Sequence, residues 1–104
     1  MSAQADLRGR LDRCSINTAT LGYQRPLGCT IDAIARAGFG WLAPWRRELE
    51  GLQPSAVARQ IKDAGLQVSG YCRSTYFPAL DRAAFEAAVA DNCQAVEVAA
   101  ELGA

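Results

Sequence analysis

In Ala64-Gly65-Leu66-Gln67-Val68-Ser69-Gly70-Tyr71-Cys72 a helix stops on a glycine and a strand begins at the next residue. Upstream, Pro54 suits the first turn of that helix, and Val57, Ile61 and Ala64 form its apolar stripe. Downstream, Gln67, Ser69 and Tyr71 fall on one strand face, and Leu66, Val68, Gly70 and Cys72 on the other. The same junction occurs earlier, at Ala37-Gly38-Phe39. There Thr30 reads as the N-cap of a short helix with Ile31, Ile34 and Ala35 on one face. Gly38 stops that helix, and Phe39 to Pro44 reads as the strand that follows.

A strand over Cys14 to Ala19 precedes these units, and a longer helix follows them. Asp81 caps that helix, Phe85, Val89, Cys93, Val96 and Ala100 form its stripe, and Gly103 ends it. Residues 1–12 read as a polar leader and residues 13–104 as one partial domain. Three strands alternating with three helices are the pattern of parallel βαβ units. The loops that leave the strands are long, whereas each helix returns to the next strand through one glycine. Ligand sites in α/β folds lie on the side of those strand-to-helix loops. The strands are apolar on one face only, with Ile16 opposing Ser15 and Asn17. An open doubly wound sheet is covered on both faces, so a one-sided pattern favours a barrel with its helices outside. A polar face that simply meets water is the alternative. The chain ends on another helix stop, Leu102-Gly103-Ala104, and so reads as the opening part of a longer α/β protein.

Composition removes several function classes. In 104 residues, eleven Lys and Arg offset eleven Asp and Glu, leaving no net field for nucleic acid or an anionic membrane. No apolar run approaches the ~20 residues of a membrane span. Asp6, Arg8, Arg10 and Asp12 leave no room for the apolar core of a signal peptide, and a cytoplasmic location is expected. Histidine is absent, which excludes Ser-His-Asp and Cys-His nucleophile systems and imidazole metal sites. Cys14, Cys29, Cys72 and Cys93 form no Cys-x-x-Cys pair and read as free, mostly buried thiols. No glycine-rich phosphate loop follows any of the strands, and no acidic cluster of the receiver-domain kind marks their ends.

Taken in order, Ser15-Ile16-Asn17-Thr18-Ala19-Thr20-Leu21, Ala37-Gly38-Phe39 with Pro44-Trp45-Arg46, and Ala64-Gly65-Leu66 with Ser69-Gly70-Tyr71-Cys72-Arg73 form a recognisable series. With the closing run from Asp91-Asn92 to Gly103-Ala104, it resembles the sugar phosphate isomerases/epimerases, the xylose isomerase-like TIM barrel group. The likeness spans residues 14–104. It implies three consecutive parallel βα units, the opening part of a (β/α)8 barrel of ~250 residues with its site at the C-terminal mouth. It also implies a divalent metal, held by Glu, Asp and His of later strands, that stabilises an enediolate-type intermediate while carboxylates move protons. By that pattern the ligands fall beyond Ala104, so no catalytic or metal-binding residue is assigned within this sequence.

Four residues are candidates for the substrate side. Asn17 ends the first strand, where its amide can meet a sugar hydroxyl or cap the loop. Trp45 and Arg46 end the second strand, a platform and a cation for a sugar or an acidic group; rim packing and a solvated arginine are the alternatives. Arg73 follows the third strand and suits a carboxylate or phosphate, or a structural ion pair. Arg47 reads as part of a solvated loop, and Tyr76 and Phe77 as cover for the barrel mouth. The expected ligand is a small sugar or sugar phosphate, with no nucleic acid or membrane partner. A non-catalytic binding or assembly module is the competing reading; an apurinic-site endonuclease is disfavoured by the neutral charge. The chain alone is expected to be inactive and to self-associate through its unpaired strand edges.

Overall fold

Pro26, Pro54 and Asp81 mark where the three main helices begin, and positive-φ glycines mark where the chain leaves them. A computed structural model describes residues 6–72 and 76–104. Its elements are β1 (Ser15–Asn17), α1 (Leu27–Ala37), β2 (Trp41–Ala43), α2 (Pro54–Asp63), β3 (Gln67–Val68) and α3 (Arg82–Leu102). Short 3-10 turns cover Leu11–Arg13, Thr18–Leu21 and Arg46–Leu49. The strands are parallel in the order β1-β2-β3. Ile16 is in register with Leu42, and Leu42 with Val68. This row faces the helices: Leu42 and Val68 share one buried cluster with Ile31 and Ile34 of α1, Val57 and Ile61 of α2 and Leu102 of α3, and Ile16 packs against it. The opposite face carries Ser15, whose hydroxyl lies 2.6 Å from that of Ser69 in a hydrogen bond. One face is oily and the other mixed, since Trp41 lies in register between Ser15 and Gln67 on it.

Four expectations are corrected. Thr30 does not cap α1. The helix starts three residues earlier, at Leu27, behind Pro26, whose carbonyl accepts from the N–H groups of Cys29 and Thr30. Pro26 brings a preset φ of −55°, and burial of Leu27 draws the first turn onto the core. Thr30 is therefore a buried interior residue. Second, Tyr71 does not share the polar face with Ser69. Gln67 and Ser69 donate to the carbonyls of Gly40 and Leu42, but the next donor to β2 is Cys72, to Pro44, three residues on instead of two. The extra residue bulges the chain at Gly70-Tyr71 and reverses the alternation, so Tyr71 packs against the core.

Third, α3 buries a different stripe. Its inward residues are Ala88, Ala95 and Leu102, with Val98 packed beside them, whereas Phe85 is 48% and Val96 68% exposed. In an alanine-rich helix both stripes satisfy the helical spacing, and the small residues win because they let α3 approach α2 closely. Fourth, the cysteines are free, but none is buried: Cys14 and Cys72 are intermediate, and Cys29 and Cys93 exposed. Tyr76 and Phe77 are also exposed, at 67% and 50%. Leu11 is tied to the start of β2, because Gly40 N–H donates to its carbonyl across 3.1 Å. Among the described residues no helix is long and apolar enough to cross a membrane.

Candidate functional site

The C-terminal ends of β1 and β2 are tied together by side chains. Asn17, the last residue of β1, turns its Oδ1 back to accept Ala19 N–H at 3.0 Å, a local turn that Asn favours. The same oxygen accepts the Trp45 indole Nε1–H at 2.5 Å. With that oxygen holding the indole, the amide nitrogen of Asn17 is the part left to address a ligand. Fully buried Pro44 anchors the backbone immediately before Trp45. Glu48 fastens the two strand ends from behind. One of its carboxylate oxygens accepts both the buried Thr18 hydroxyl and the Trp45 backbone N–H. The Trp45 ring is thus held from its backbone and from its own indole nitrogen.

Two further residues complete the rim. Tyr23 presents its ring edge-on to Trp45, with centroids 6.3 Å apart and planes at 66°. Its φ of +55° makes it the one non-glycine residue with positive φ among those described. The Arg47 guanidinium lies over the other end of this aromatic pair, 4.2 Å from the Tyr23 centroid. Behind Tyr23 an open cavity of about 290 Å³ is lined by Thr18, Gln24, Arg25, Thr30 and Glu48.

The four candidates from the sequence separate in the structure. Asn17 and Trp45 come together. Arg46 turns away from them into a bidentate pair with Asp91 of α3, both N–O distances being 2.7 Å. That pair spans from the loop after β2 to α3, and the carboxylate holds the Arg46 guanidinium further into its charged form. Arg73 lies outside the described residues. Tyr23, Glu48 and Arg47 were not singled out by sequence as site residues. Glu48 had a faint signal, being three residues after Trp45 in the spacing of a capping box, with a tryptophan where a serine would reveal it.

Tyr71 lies beside the Arg46–Asp91 pair. Burial raises its phenol pKa above 10, Arg46 opposes that shift and Asp91 adds to it. A phenol raised in the folded state stabilises the fold fully below the unfolded value and loses that contribution as pH rises through the folded one. In an alkaline titration followed by phenolate absorbance, Tyr71→Phe is expected to remove the latest-titrating component. An unchanged late component would place the shift elsewhere.

Among the described residues, no three Cys, Asp or Glu side chains gather in a way that can hold a metal ion. The described residues therefore do not fit the divalent metal that the resemblance implies.

No protein-family model and no curated protein sequence matches the chain. Solved structures do. A protein from Sinorhizobium meliloti 1021 superposes with a TM-score of 0.83 at 35% identity, over 90% of this chain and 34% of that one. A xylose isomerase-like TIM barrel/4-hydroxyphenylpyruvate dioxygenase fusion protein gives a TM-score of 0.74 at 22% identity, over 86% of this chain and 14% of that one. A D-psicose 3-epimerase, crystallised in the presence of D-fructose, gives 0.68 at 15% identity, over 86% of this chain and 34% of that one. The chain spans about a third of the length of the first of these. Three parallel strands in sequential order, helices on one face and these superpositions lead to one architecture: the chain folds as three consecutive βα units of a TIM barrel.

Proposed function

We propose that this chain is the N-terminal portion of a sugar isomerase/epimerase-like barrel and binds a small sugar or polyol at the C-terminal ends of its strands. The observation that carries the reading is the Trp45 indole fixed by Asn17 across the ends of β1 and β2. A clamped aromatic platform beside an amide donor suits the alternating CH and OH groups of a sugar. Arg73, which follows the third strand in the sequence, remains a candidate for an acidic group of the ligand, whereas Arg46 is committed to Asp91 and braces the loop after β2. On this reading the metal-binding and acid/base groups would come from outside these 104 residues and would supply charge stabilisation and proton transfer.

A ketohexose is the natural first probe, given the psicose epimerase among the structural neighbours. With Trp41→Phe leaving Trp45 as the only indole, D-fructose is expected to change the fluorescence saturably. Asn17→Ala should weaken binding about tenfold, the worth of one good hydrogen bond. Absence of saturation overturns the reading. Metal-dependent aldose–ketose turnover by the 104-residue chain would overturn the placing of the catalytic groups elsewhere.

The competing reading is a non-catalytic assembly module. In it, β1 and β3, each paired on one side only, take up strands of a second copy. A monomer in sedimentation would overturn the module, which requires stable self-association, and would leave the sugar site standing.

A further inference from the structure

We infer that Asp91 of α3 is a positioning residue for the Trp45 platform, acting through Arg46, so that a side chain on an outer helix sets affinity at the strand ends. The inference rests on the sugar reading above and adds a residue to that same site. It starts from two adjacent residues held from opposite flanks. Trp45 is extended, with φ −100° and ψ 145°, so its side chain and that of Arg46 leave the backbone in opposite directions. The indole goes to Asn17 at the end of β1. The guanidinium goes to Asp91, with two N–O distances of 2.7 Å. One short stretch of chain is thus anchored on both sides, and turning it about the strand axis breaks one anchor or the other.

The backbone alone does not prevent that turn. Beyond β2 the chain meets the continuation of β3 in an isolated bridge between Trp45 and Cys72. There Arg46 N–H donates to the Cys72 carbonyl, and Cys72 N–H to that of Pro44 across 3.1 Å. An isolated bridge can act as a hinge. The side-chain ties of Trp45 itself run to the β1 side: Asn17 accepts its indole, and Glu48 joins its N–H to Thr18. The Arg46–Asp91 pair supplies the opposing tie, toward α3. A bidentate contact fixes the plane of the guanidinium as well as its distance. Its side chains are 28% and 34% exposed, against 91% and 65% for the Arg82–Glu86 pair on the same helix. Water and salt compete less with the sheltered pair, so it constrains its loop where the surface pair does not. Precision matters here, because a ring displaced by ~1 Å cannot meet a sugar's CH face while Asn17 meets its hydroxyl.

The full chain carrying Trp41→Phe, with Trp45 as its only indole, gives two readouts: acrylamide quenching without ligand, and saturable binding of D-fructose. Asp91→Asn keeps the size and one acceptor and removes the charge. It is expected to raise the quenching of Trp45 and to weaken D-fructose binding about fivefold or more. In an Asn17→Ala background, where the indole has already lost its partner, the same change should weaken binding less than about twofold. That non-additivity is the mark of action through the platform, which a brace for stability alone would not produce. Arg82→Ala, which removes the exposed pair of the same helix, should alter neither readout. Arg46→Lys keeps the charge without the fork and should fall between the parent and Asp91→Asn. It takes the place of Asp91→Asn if circular dichroism shows that variant unfolded. Unchanged quenching and affinity in the folded variant, or losses that simply add to that of Asn17→Ala, overturn the inference and leave the sugar reading standing. Failure of D-fructose to bind the parent chain overturns both.

Discussion

Leu42→Ala is expected to cost about 2–5 kcal/mol, a large part of the ~5–15 kcal/mol that holds a domain of this size together. Leu42 is the middle residue of the middle strand and is 0% exposed. Its neighbours in register, Ile16 and Val68, flank it on either side, and the helices cover it with Ile31 and Ile61. Truncation removes apolar area from a site whose walls come from both the sheet and the helices, so no single element can move to fill the space. Urea denaturation followed by circular dichroism measures the effect. A fall of less than about 1 kcal/mol would mean that the helices do not close over the sheet as described. Val96→Ala on α3 is the control, because that side chain is 68% exposed and its truncation should stay within about 0.5 kcal/mol.

The parts of this fold that are local in chemistry were legible from the residues. Gly38 and Gly65 have φ of +94° and +80°, values that a glycine adopts without strain, and each ends its helix where the next strand begins. Asp81 accepts from Ala84 N–H at 2.7 Å, as its place before an apolar run suggested. What sequence could not show depends on distant partners. The inward face of α3 follows from packing on α2 and from Asp91 meeting Arg46, a pair separated by forty-five positions. The bulge at Gly70-Tyr71 is hidden because alternation reads the same until the partner strand is known.

The site follows the same division. Asn17 and Trp45 were legible because strand-end position and residue type sufficed. Tyr23 was not, since its role comes from the path of the loop after β1, which turns at Gly22 and Tyr23, both at positive φ, to reach Trp45. Arg47 reads as solvated because nothing in the sequence names an aromatic ring twenty-four positions upstream as its partner.

Gly40→Ala is expected to cost about 1–3 kcal/mol and to release the leader from the start of β2. The glycine is required here by space rather than by backbone conformation, because its φ is not in the left-handed region. A Cβ on Gly40 would lie 2.8 Å from the carbonyl carbon of Asp12 and nearer still to its oxygen. These are backbone atoms, which cannot swing aside as the end of a side chain can. Either β2 shifts, disturbing its registers with β1 and β3, or the Leu11–Arg13 turn lifts away and the hydrogen bond from Gly40 N–H to Leu11 is lost. The second route disturbs less of the core and should prevail. Trypsin then cleaves faster after Arg10 and Arg13 while the Leu42 core stays folded. Deleting residues 1–13 removes the obstructing carbonyl, so in that background Gly40→Ala should become nearly neutral, a coupling that double-mutant analysis reads directly. Gly38→Ala provides the contrast. Open space surrounds that position, but its φ is +94°, so its cost is backbone strain and should persist whether or not the leader is present. A Gly40→Ala penalty that survives the deletion would show that β2, not the leader, is what the missing side chain accommodates.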